Sequence, residues 1–432
     1  MRIGAFTGMN NVTGGGMVAD GVIAPKILLN CYPDNQGKLI KNPGYASVEA
    51  ITSGRDLFGG RKVLLWIAGG TATLYRVKTG GAVGSPVTIT PAIGTTKPMK
   101  YCEIGDTVYM SSTDKTWVLE DDETELRPWG QAAPTGDLDA TTELESSSGA
   151  GNLPPGVYKL CATKVAASGR PVSSIGQVKV IIAEQPLASI TPSGLIAGEA
   201  IWMTEPNGSV FYYVGEHGEP HVTTIATPPK SKTSLPSLMF LNVVPYLGTA
   251  NIIHFAGRII GAHGSEVHFS EPFLYECFGV GKFIDFGVNI TVIAAVKDGL
   301  FVSSVDRTWF GAGRDPMQME WREVGKGAVP GSLPTQSGSF HEESGQQIDT
   351  WKSAHLSPTW VDSEGHLVQG TQHGRIIKLT PGVKMDAGAS AASLWRRING
   401  MGQYVTSSPI PSAVHADSET STALTNGYLI GD

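Results

Sequence analysis

The sequence predicts an all-β protein, specifically a β-propeller with an inserted β-sandwich domain. Three observations predict this fold. The chain of 432 residues has 54 glycines and 27 prolines, roughly half as much again as average usage. Short β-like runs alternate with tight turns along most of its length. One such unit, residues 106–117, is echoed without a gap by residues 298–309, and an internal echo indicates a supersecondary unit that is used at least twice.

Composition narrows the class of protein. Charged residues are only 16% of the chain and hydrophobic residues 41%, which argues against disorder. The net charge of −7 argues against tight wrapping of nucleic acid by the isolated chain. The four cysteines form no Cys-x-x-Cys pair and are interpreted as buried thiols in a reducing compartment. Without a signal peptide or a long apolar run, we expect a soluble chain with no membrane span and no export by a cleaved signal.

Five hairpins support the propeller. Each consists of two short apolar or β-branched runs around a turn rich in glycine, serine or aspartate. Turn glycines at 257 and 299, and at 60 and 105, recur at a spacing on the order of 40 residues, the size of one four-stranded blade. The predicted strand pairs are 63–67 with 73–77, 107–110 with 116–119, 258–260 with 266–269, 300–302 with 308–310, and 365–368 with 375–379.

The pattern divides the chain into an arm, two groups of blades and an insertion. Residues 131–151 are interpreted as a linker because of their small and polar composition. Within the insertion, the Asn207-Gly208 turn between apolar runs is the strongest short hairpin signal in the chain. The predicted domains are 1–29 as an N-terminal arm, 30–135 as the first propeller blades, 151–228 as the inserted β-sandwich, and 245–432 as the remaining blades and closing strands.

The internal repeat is interpreted as structural. Its pattern, Ser-x-Asp-x-Thr-Trp, invites comparison with the Asp box of sialidase-type propellers, although that box has a longer spacing to its Trp and a Gly that is missing here. In such turns the Ser and Asp satisfy local polar groups while the Trp packs between strands. The repeat residues are Asp106, Ser112, Asp114 and Trp117 in the first copy and Asp298, Ser304, Asp306 and Trp309 in the second.

The sequence gives little support for a catalytic site or a metal site. Asp121, Asp122 and Glu123 lie in a polar turn, and Glu143 and Glu145 in the predicted linker, so no carboxylate pair has a defined spacing for glycoside hydrolysis. Three histidines, at 254, 263 and 268, lie close in sequence, but no cysteine or acidic partner follows a known zinc spacing. We therefore expect a protein that is not an enzyme and that has no cofactor and no metal.

A loose cluster of basic residues early in the chain has two interpretations. The plain interpretation is a solvated surface. The sharper one is a ring of positive charge that contacts a partner or DNA in a channel. The residues are Lys38, Lys41, Arg55, Arg61 and Lys62.

Several segments, taken in order, resemble the tail hub family of short-tailed bacteriophages, also called nozzle or packaged-DNA stabilisation proteins. Residues 29–45 resemble the family's opening pattern, in which basic residues precede Pro-Gly-Tyr. Residues 156–170 resemble its Gly-x-Tyr…Thr…Gly-Arg segment. Residues 267–275 resemble a strand followed by Ser-x-Pro and an aromatic residue, and residues 293–302 resemble the blade that carries Asp-Gly-Leu-Phe-Val. The resemblance covers 30–410, and this chain is shorter than is usual in the family.

The resemblance implies a virion protein that is assembled in the host cytoplasm. Family members are propellers with inserted β domains that form a homo-hexameric ring below the portal and the adaptor, or head-completion, protein. The ring continues the DNA channel, retains the packaged genome and carries fibres or a needle-like plug. An acidic chain suits such a conduit, because negative walls let viral DNA slide with only transient contact.

The alternative hypothesis is a receptor- or glycan-binding propeller of a phage tail, with glycosidase activity as its extreme form. It predicts a pocket at the propeller axis that is lined by Arg, Asp, Glu and Trp, whereas the hub hypothesis predicts a packed axis and large surfaces between subunits.

Overall fold

A computed structural model describes the chain in segments. They are 16–18, 22–24, 31–33, 39–41, 54–59, 63–68, 73–78, 87–120, 124–144, 152–165, 171–195, 198–217, 224–229, 234–235, 241, 244–334, 358–379, 390–398, 401–407 and 427–431.

The fold is all-β: a β-propeller with an inserted β-sandwich. Every named strand pairs antiparallel with its neighbours, and one 3-10 turn occurs at Pro316–Gln318. No helix among the described residues is long and apolar enough to cross a membrane. Two small hairpins come first along the chain, and their strands are β1 (Gly16–Val18), β2 (Val22–Ala24), β3 (Cys31–Pro33) and β4 (Leu39–Lys41).

Blades A and B precede the insertion, and each is a four-stranded meander in which consecutive strands pair. Blade A contains β5 (Gly54–Gly59), β6 (Val63–Ala68), β7 (Thr73–Lys78) and β8 (Val87–Ile89). Blade B contains β9 (Lys100–Ile104), β10 (Thr107–Ser111), β11 (Thr116–Leu119) and β12 (Arg127–Pro128).

The inserted domain has two sheets that pack around their own core. The smaller sheet pairs β13 (Asp139–Leu144) with β16 (Leu187–Ser193). The larger sheet has the order β15 (Lys179–Ala183), β14 (Gly156–Lys164), β17 (Glu199–Thr204), β18 (Phe211–His217) and β19 (Ser234–Leu235). Strand β13 corrects the interpretation of 131–151 as a linker, because 139–144 pair with β16. The polar and largely exposed residues of β13 have the composition of a loop.

Four further sheets follow the insertion in chain order. Blade C contains β20 (Ile253–Phe255), β21 (Arg258–His263), β22 (Glu266–Glu271) and β23 (Leu274–Asp285). Blade D contains β24 (Val292–Val296), β25 (Gly299–Ser303), β26 (Arg307–Ala312) and β27 (Glu320–Lys326). Blade E contains β28 (Thr359–Val361), β29 (Leu367–Gly370) and β30 (Ile376–Lys378), and blade F contains β31 (Ala392–Ile398), β32 (Met401–Ser407) and β33 (Gly427–Gly431).

All five predicted propeller hairpins are confirmed, as is the hairpin at Asn207-Gly208. Burial of the central strands on both faces explains why the sequence shows continuous apolar runs there and not an alternation of apolar and polar residues. Every residue of β10 and of β25 is buried, because a blade that lies between two others is covered on both faces.

Separate apolar cores join consecutive blades: A with B, B with C, C with D, D with E, and E with F. The first strands of neighbouring blades also converge, since β20 contacts both β9 and β24. Convergence of the first strands, with the last strands on the outside, is the arrangement of blades around a propeller axis.

We predict that closure of the ring uses strands from both ends of the chain, because a closed ring removes exposed edges. Among the described residues, each propeller sheet contains only strands that are consecutive in sequence, and blade F is built entirely from 392–431. Closure by both ends therefore stays a prediction.

Candidate functional site

The structure places the two copies of the repeat at equivalent hairpin turns, in blades B and D. In the first copy, the Ser112 hydroxyl accepts hydrogen bonds from the backbone N–H groups of Asp114 and Lys115, at 3.3 and 2.9 Å. In the second copy, the Ser304 hydroxyl accepts from the backbone N–H groups of Asp306 and Arg307, both at 3.2 Å. The serine of each repeat therefore closes a local turn.

The carboxylates of the two copies differ in their contacts. Asp114 Oδ1 accepts from the hydroxyls of Thr95 and Ser112, at 2.6 and 2.7 Å. These two hydrogen bonds lower the pKa of Asp114 from its ordinary value. In the second copy, Asp306 contacts the Ser304 hydroxyl through its backbone N–H group. Asp106 and Asp298 lie in exposed turns ahead of the repeated strands.

The tryptophans of the repeat pack between strands. The Trp117 indole donates to the carbonyl of Ile93 at 3.1 Å and packs on the core between blades A and B. Trp309 lies against Phe286, with ring centroids 5.0 Å apart, and packs on the core between blades C and D. All of these contacts serve the turn or the blade interface.

A glycine from the following blade packs on each repeat turn, a feature that sequence reasoning missed. A Cβ at Gly248 would lie 2.1 Å from the carbonyl carbon of Ser112, and a Cβ at Gly327 would lie 2.1 Å from the carbonyl oxygen of Val305. The backbone of the connection to the next blade therefore approaches too closely for any side chain.

A buried ion pair between Arg127 and Glu276, called the latch, joins blade B to blade C across the insertion. Arg127 on β12 binds both carboxylate oxygens of Glu276 on β23, with Nη1–Oε2 and Nη2–Oε1 distances of 2.7 and 2.5 Å. Its guanidinium also donates to Glu120. The Glu276 side chain is only 3% exposed and accepts a further hydrogen bond from Gly130 N–H. Such a bidentate buried pair defines geometry strictly.

The inserted domain docks on the same outer strand of blade C. Leu274 and Cys277 of β23 pack against a cluster of the larger insert sheet that includes Cys161, Trp202 and Phe211. The neighbouring Trp129 indole donates to the Tyr275 carbonyl at 3.0 Å. Strand β23 thus contributes Glu276 to the latch and also forms the surface on which the inserted domain packs.

The first strands of blades A, B and F each carry two charged residues, and those of blades C, D and E carry none. Lys100 on β9 is half-buried; burial lowers its pKa, and the nearby carboxylate of Asp56 on β5 opposes that shift. Asp56 also accepts from the Met99 N–H at 3.2 Å. Strand β24, by contrast, has only alanine, isoleucine and valine.

The three histidines of blade C occupy three different strands. His263 and His268 face each other with ring centroids 6.5 Å apart, and His268 Nε2 lies 2.9 Å from Glu266 Oε2. His254 on β20 instead faces Tyr275. Within the described segments, no group of three His, Cys, Asp or Glu side chains could hold a metal ion.

Most of the predicted cationic cluster cannot be placed. Lys38, Arg61 and Lys62 lie outside the described residues, as do Asp121, Asp122, Glu123 and Glu145. Lys41 lies on β4 and Arg55 on β5. Glu143 lies on β13, where its carboxylate accepts from the Ser189 hydroxyl at 3.2 Å.

The sequence matches no protein-family model, and it matches no curated protein. Several solved structures align with the chain at low similarity. The AztD crystal structure from Citrobacter koseri is 10% identical at a TM-score of 0.26, over 75% of this chain and 85% of that one. KlHsv2 with a replaced loop is 7% identical at 0.30, over 87% and 96%. The Dos1 propeller is 9% identical at 0.29, over 87% and 78%.

Proposed function

We propose that this chain is a structural, non-enzymatic virion protein that forms a ring-shaped tail nozzle, or hub, below the portal and adaptor of a bacteriophage. The observation that carries the proposal is the ordered resemblance to the tail hub family. Its segments coincide with regular elements of this fold. Residues 156–170 begin on β14 of the insert, 267–275 cover the β22–β23 turn of blade C, and 293–302 span β24 and β25 of blade D.

The contacts of three buried carboxylates favour a scaffold over an enzyme. Glu276 is bound by Arg127, Glu271 is bound by Lys282, and Asp362 accepts from the backbone N–H groups of Glu364 and His366. A general acid or base needs a proton-transfer partner in a substrate pocket, whereas these carboxylates face cations and backbone groups of their own chain.

In the proposed assembly, copies of the chain form a homo-hexamer whose axis continues the DNA channel. The adaptor contacts one face of the ring, and fibres or a needle-like plug attach to the other side or the rim. The net charge of −7 suits transient, non-specific contact with passing DNA. Assembly takes place in the host cytoplasm and the mature location is the virion tail.

Mass photometry of the purified protein, run in parallel with a glycan array, tests this proposal against the receptor-binding alternative. A species of six chain masses that binds no glycan is the expected result. A monomer that binds one glycan class would overturn the nozzle proposal and favour the receptor- or glycan-binding propeller. Release of reducing sugar from the bound glycan would further indicate a glycosidase.

A further inference from the structure

Strand β15 is an edge strand of the inserted domain. It pairs with β14 on one side, with Ile182 opposite Val157 and Val180 opposite Lys159. On its other side, no strand of the described residues pairs with it. An edge of this kind presents a row of backbone N–H and C=O groups to which a further strand can be added.

The outward row of this edge strand is apolar. Ile181 and Ala183 point into the core of the insert, so alternation places Val180 and Ile182 on the opposite face. Val178 immediately precedes the strand. The side chains of Val178, Val180 and Ile182 are 38%, 49% and 72% exposed. Natural edge strands are normally protected by charged side chains, proline or bulges. The one charged residue within β15, Lys179, alternates with this row and lies on the other face, and Glu184 and Pro186 follow only after the strand has ended.

The exposed row continues a face that already serves as an interface within the chain. The same face of the larger insert sheet carries Cys161, Trp202 and Phe211, which are buried against β23 of blade C. Blade C therefore covers one end of the face and leaves the end at β15 open. The open end has the apolar character of the covered end, as expected for a surface that packs against protein.

One cation on this face has no ionic partner among the described residues. Lys159 is half-buried and lies beside Val180 across the β14–β15 ladder. Lys179, by contrast, is already paired with Asp139 at 2.6 Å. An added strand would lie about two strand spacings of 4.8 Å from β14, a gap that a lysine and a glutamate can bridge together. The edge thus combines an apolar row with one available positive charge.

We propose that β15 binds an extended segment of another tail protein by strand addition. The segment carries apolar side chains at alternate positions, which pack on Val178, Val180 and Ile182, and an acidic side chain that meets Lys159. This inference rests on the proposed ring. Pairing of β15 with β15 of a second copy is a two-fold contact, which does not generate a closed six-fold ring, so the ring leaves this edge available to a different protein.

Fluorescence anisotropy with a labelled eight-residue peptide that alternates valine with threonine and glutamate tests the inference. The peptide is expected to bind the full chain, whereas a scrambled peptide of the same composition binds at least tenfold more weakly. Val180→Lys and Ile182→Lys should each weaken binding at least tenfold. Leu144→Lys is the matched control, since Leu144 is 65% exposed on the edge strand β13, and it should bind as the unmodified chain does.

The charge is tested separately with Lys159→Gln, which should remove the preference for the glutamate peptide over one in which lysine replaces glutamate. Equal binding of the scrambled peptide, or binding that ignores both β15 variants, would overturn strand addition. A dimer in sedimentation that Ile182→Lys abolishes would make a second copy the occupant and also overturn it. Ring formation, judged by particle mass, is a separate readout, so failure of the ring and failure of the edge can be told apart.

Discussion

At the residue scale, two glycines determine how closely consecutive blades approach each other. Gly248 and Gly327 place backbone directly on the serine turns of blades B and D. The turns themselves need only a serine hydroxyl and two backbone N–H groups. The close approach explains why glycine occupies both positions, since any Cβ there would overlap backbone atoms of the turn.

Gly248→Ala and Gly327→Ala are each predicted to lower the free energy of unfolding by about 1–3 kcal/mol, because the added methyl group overlaps backbone atoms that cannot move aside. Urea denaturation measures the change. Gly59→Ala is the matched control, since a Cβ there meets nothing within 4 Å, and it should be neutral or slightly stabilising. Equal effects at all three glycines would contradict the close approach.

Three cysteine thiols should resist modification in the folded protein. Cys102, Cys161 and Cys277 are at most 6% exposed. Burial, with a smaller contribution from Glu103, raises the pKa of Cys102 to about 12, and burial raises the pKa of the other two thiols as well. Because the thiolate is the reactive form, we expect these three to react with iodoacetamide only after unfolding. Peptide mass mapping that finds any of them labelled in native protein would refute this.

Stability should fall on acidification below neutral pH. Burial lowers the pKa of His254 and of His268 below the ordinary 6.5; for His268, Glu266 opposes the shift and His263 adds to it. Below pH 6.5 the unfolded chain therefore binds protons that the folded chain does not, so stability decreases as pH falls towards the folded pKa.

Melting temperatures at pH 7.5 and 5.5 test this dependence. His268→Gln should show a smaller drop between the two pH values than the unmodified chain. The exposed residue His373 supplies the control, and His373→Gln should leave the drop unchanged. A drop that is the same in all three proteins would exclude His268 as its source.

At the scale of elements, the latch between Arg127 and Glu276 holds together two blades that the insertion separates in sequence. The two residues are 149 positions apart, yet both lie beside the surface of blade C on which the inserted domain packs. Removing one partner leaves a buried charge without compensation, which is more costly than removing both.

Arg127→Met is predicted to destabilise the protein by about 3 kcal/mol, because it leaves the Glu276 carboxylate buried without its cation. Glu276→Leu should cost less, because Arg127 keeps Glu120 as an ionic partner. The double variant should recover part of the loss, as a double-mutant cycle in urea would show. Glu323→Gln breaks an exposed pair with Arg307 at 3.5 Å and should change stability by less than about 1 kcal/mol. Strictly additive single effects would argue against a coupled latch.

Local elements were predictable from the sequence, and distant contacts were not. The hairpins at Asn207-Gly208 and at 300–310 depend on turn chemistry and strand propensity within about a dozen residues, and both were confirmed. Strand β13 was missed because its polar composition is that of a loop and its pairing partner β16 lies some 50 residues further on.

The contacts of the candidate site also divide into local ones, which were predictable, and distant ones, which were not. The serine turns of the repeat could be anticipated, since their hydrogen bonds are local. The latch and the glycine contacts could not, because each joins residues that only tertiary packing brings together.

At the scale of the whole molecule, each blade is stabilised chiefly by the apolar core that it shares with its neighbours. Tyr404 of blade F, for example, is buried against Val361 and Leu367 of blade E. If the ring closes, blade F also supports blade A, although the two are at opposite ends of the chain.

Deletion of residues 390–432 is therefore predicted to destabilise blade A as well as blade E. Hydrogen exchange of the amides in β6 measures the effect, with β17 of the independently packed insert as the internal control. Faster exchange in β6 with unchanged exchange in β17 is the expected result. Unchanged exchange in β6, together with an unchanged melting temperature, would show that the two ends do not depend on each other.

Copies of this propeller are proposed to form a nozzle below a portal and adaptor. Negative-stain electron microscopy of the protein, alone and mixed with a portal–adaptor complex, tests this assembly. We expect six-fold rings with an open axis that dock on the adaptor. Monomers that never join the complex would contradict it, and glycan binding would then become the leading explanation of the propeller.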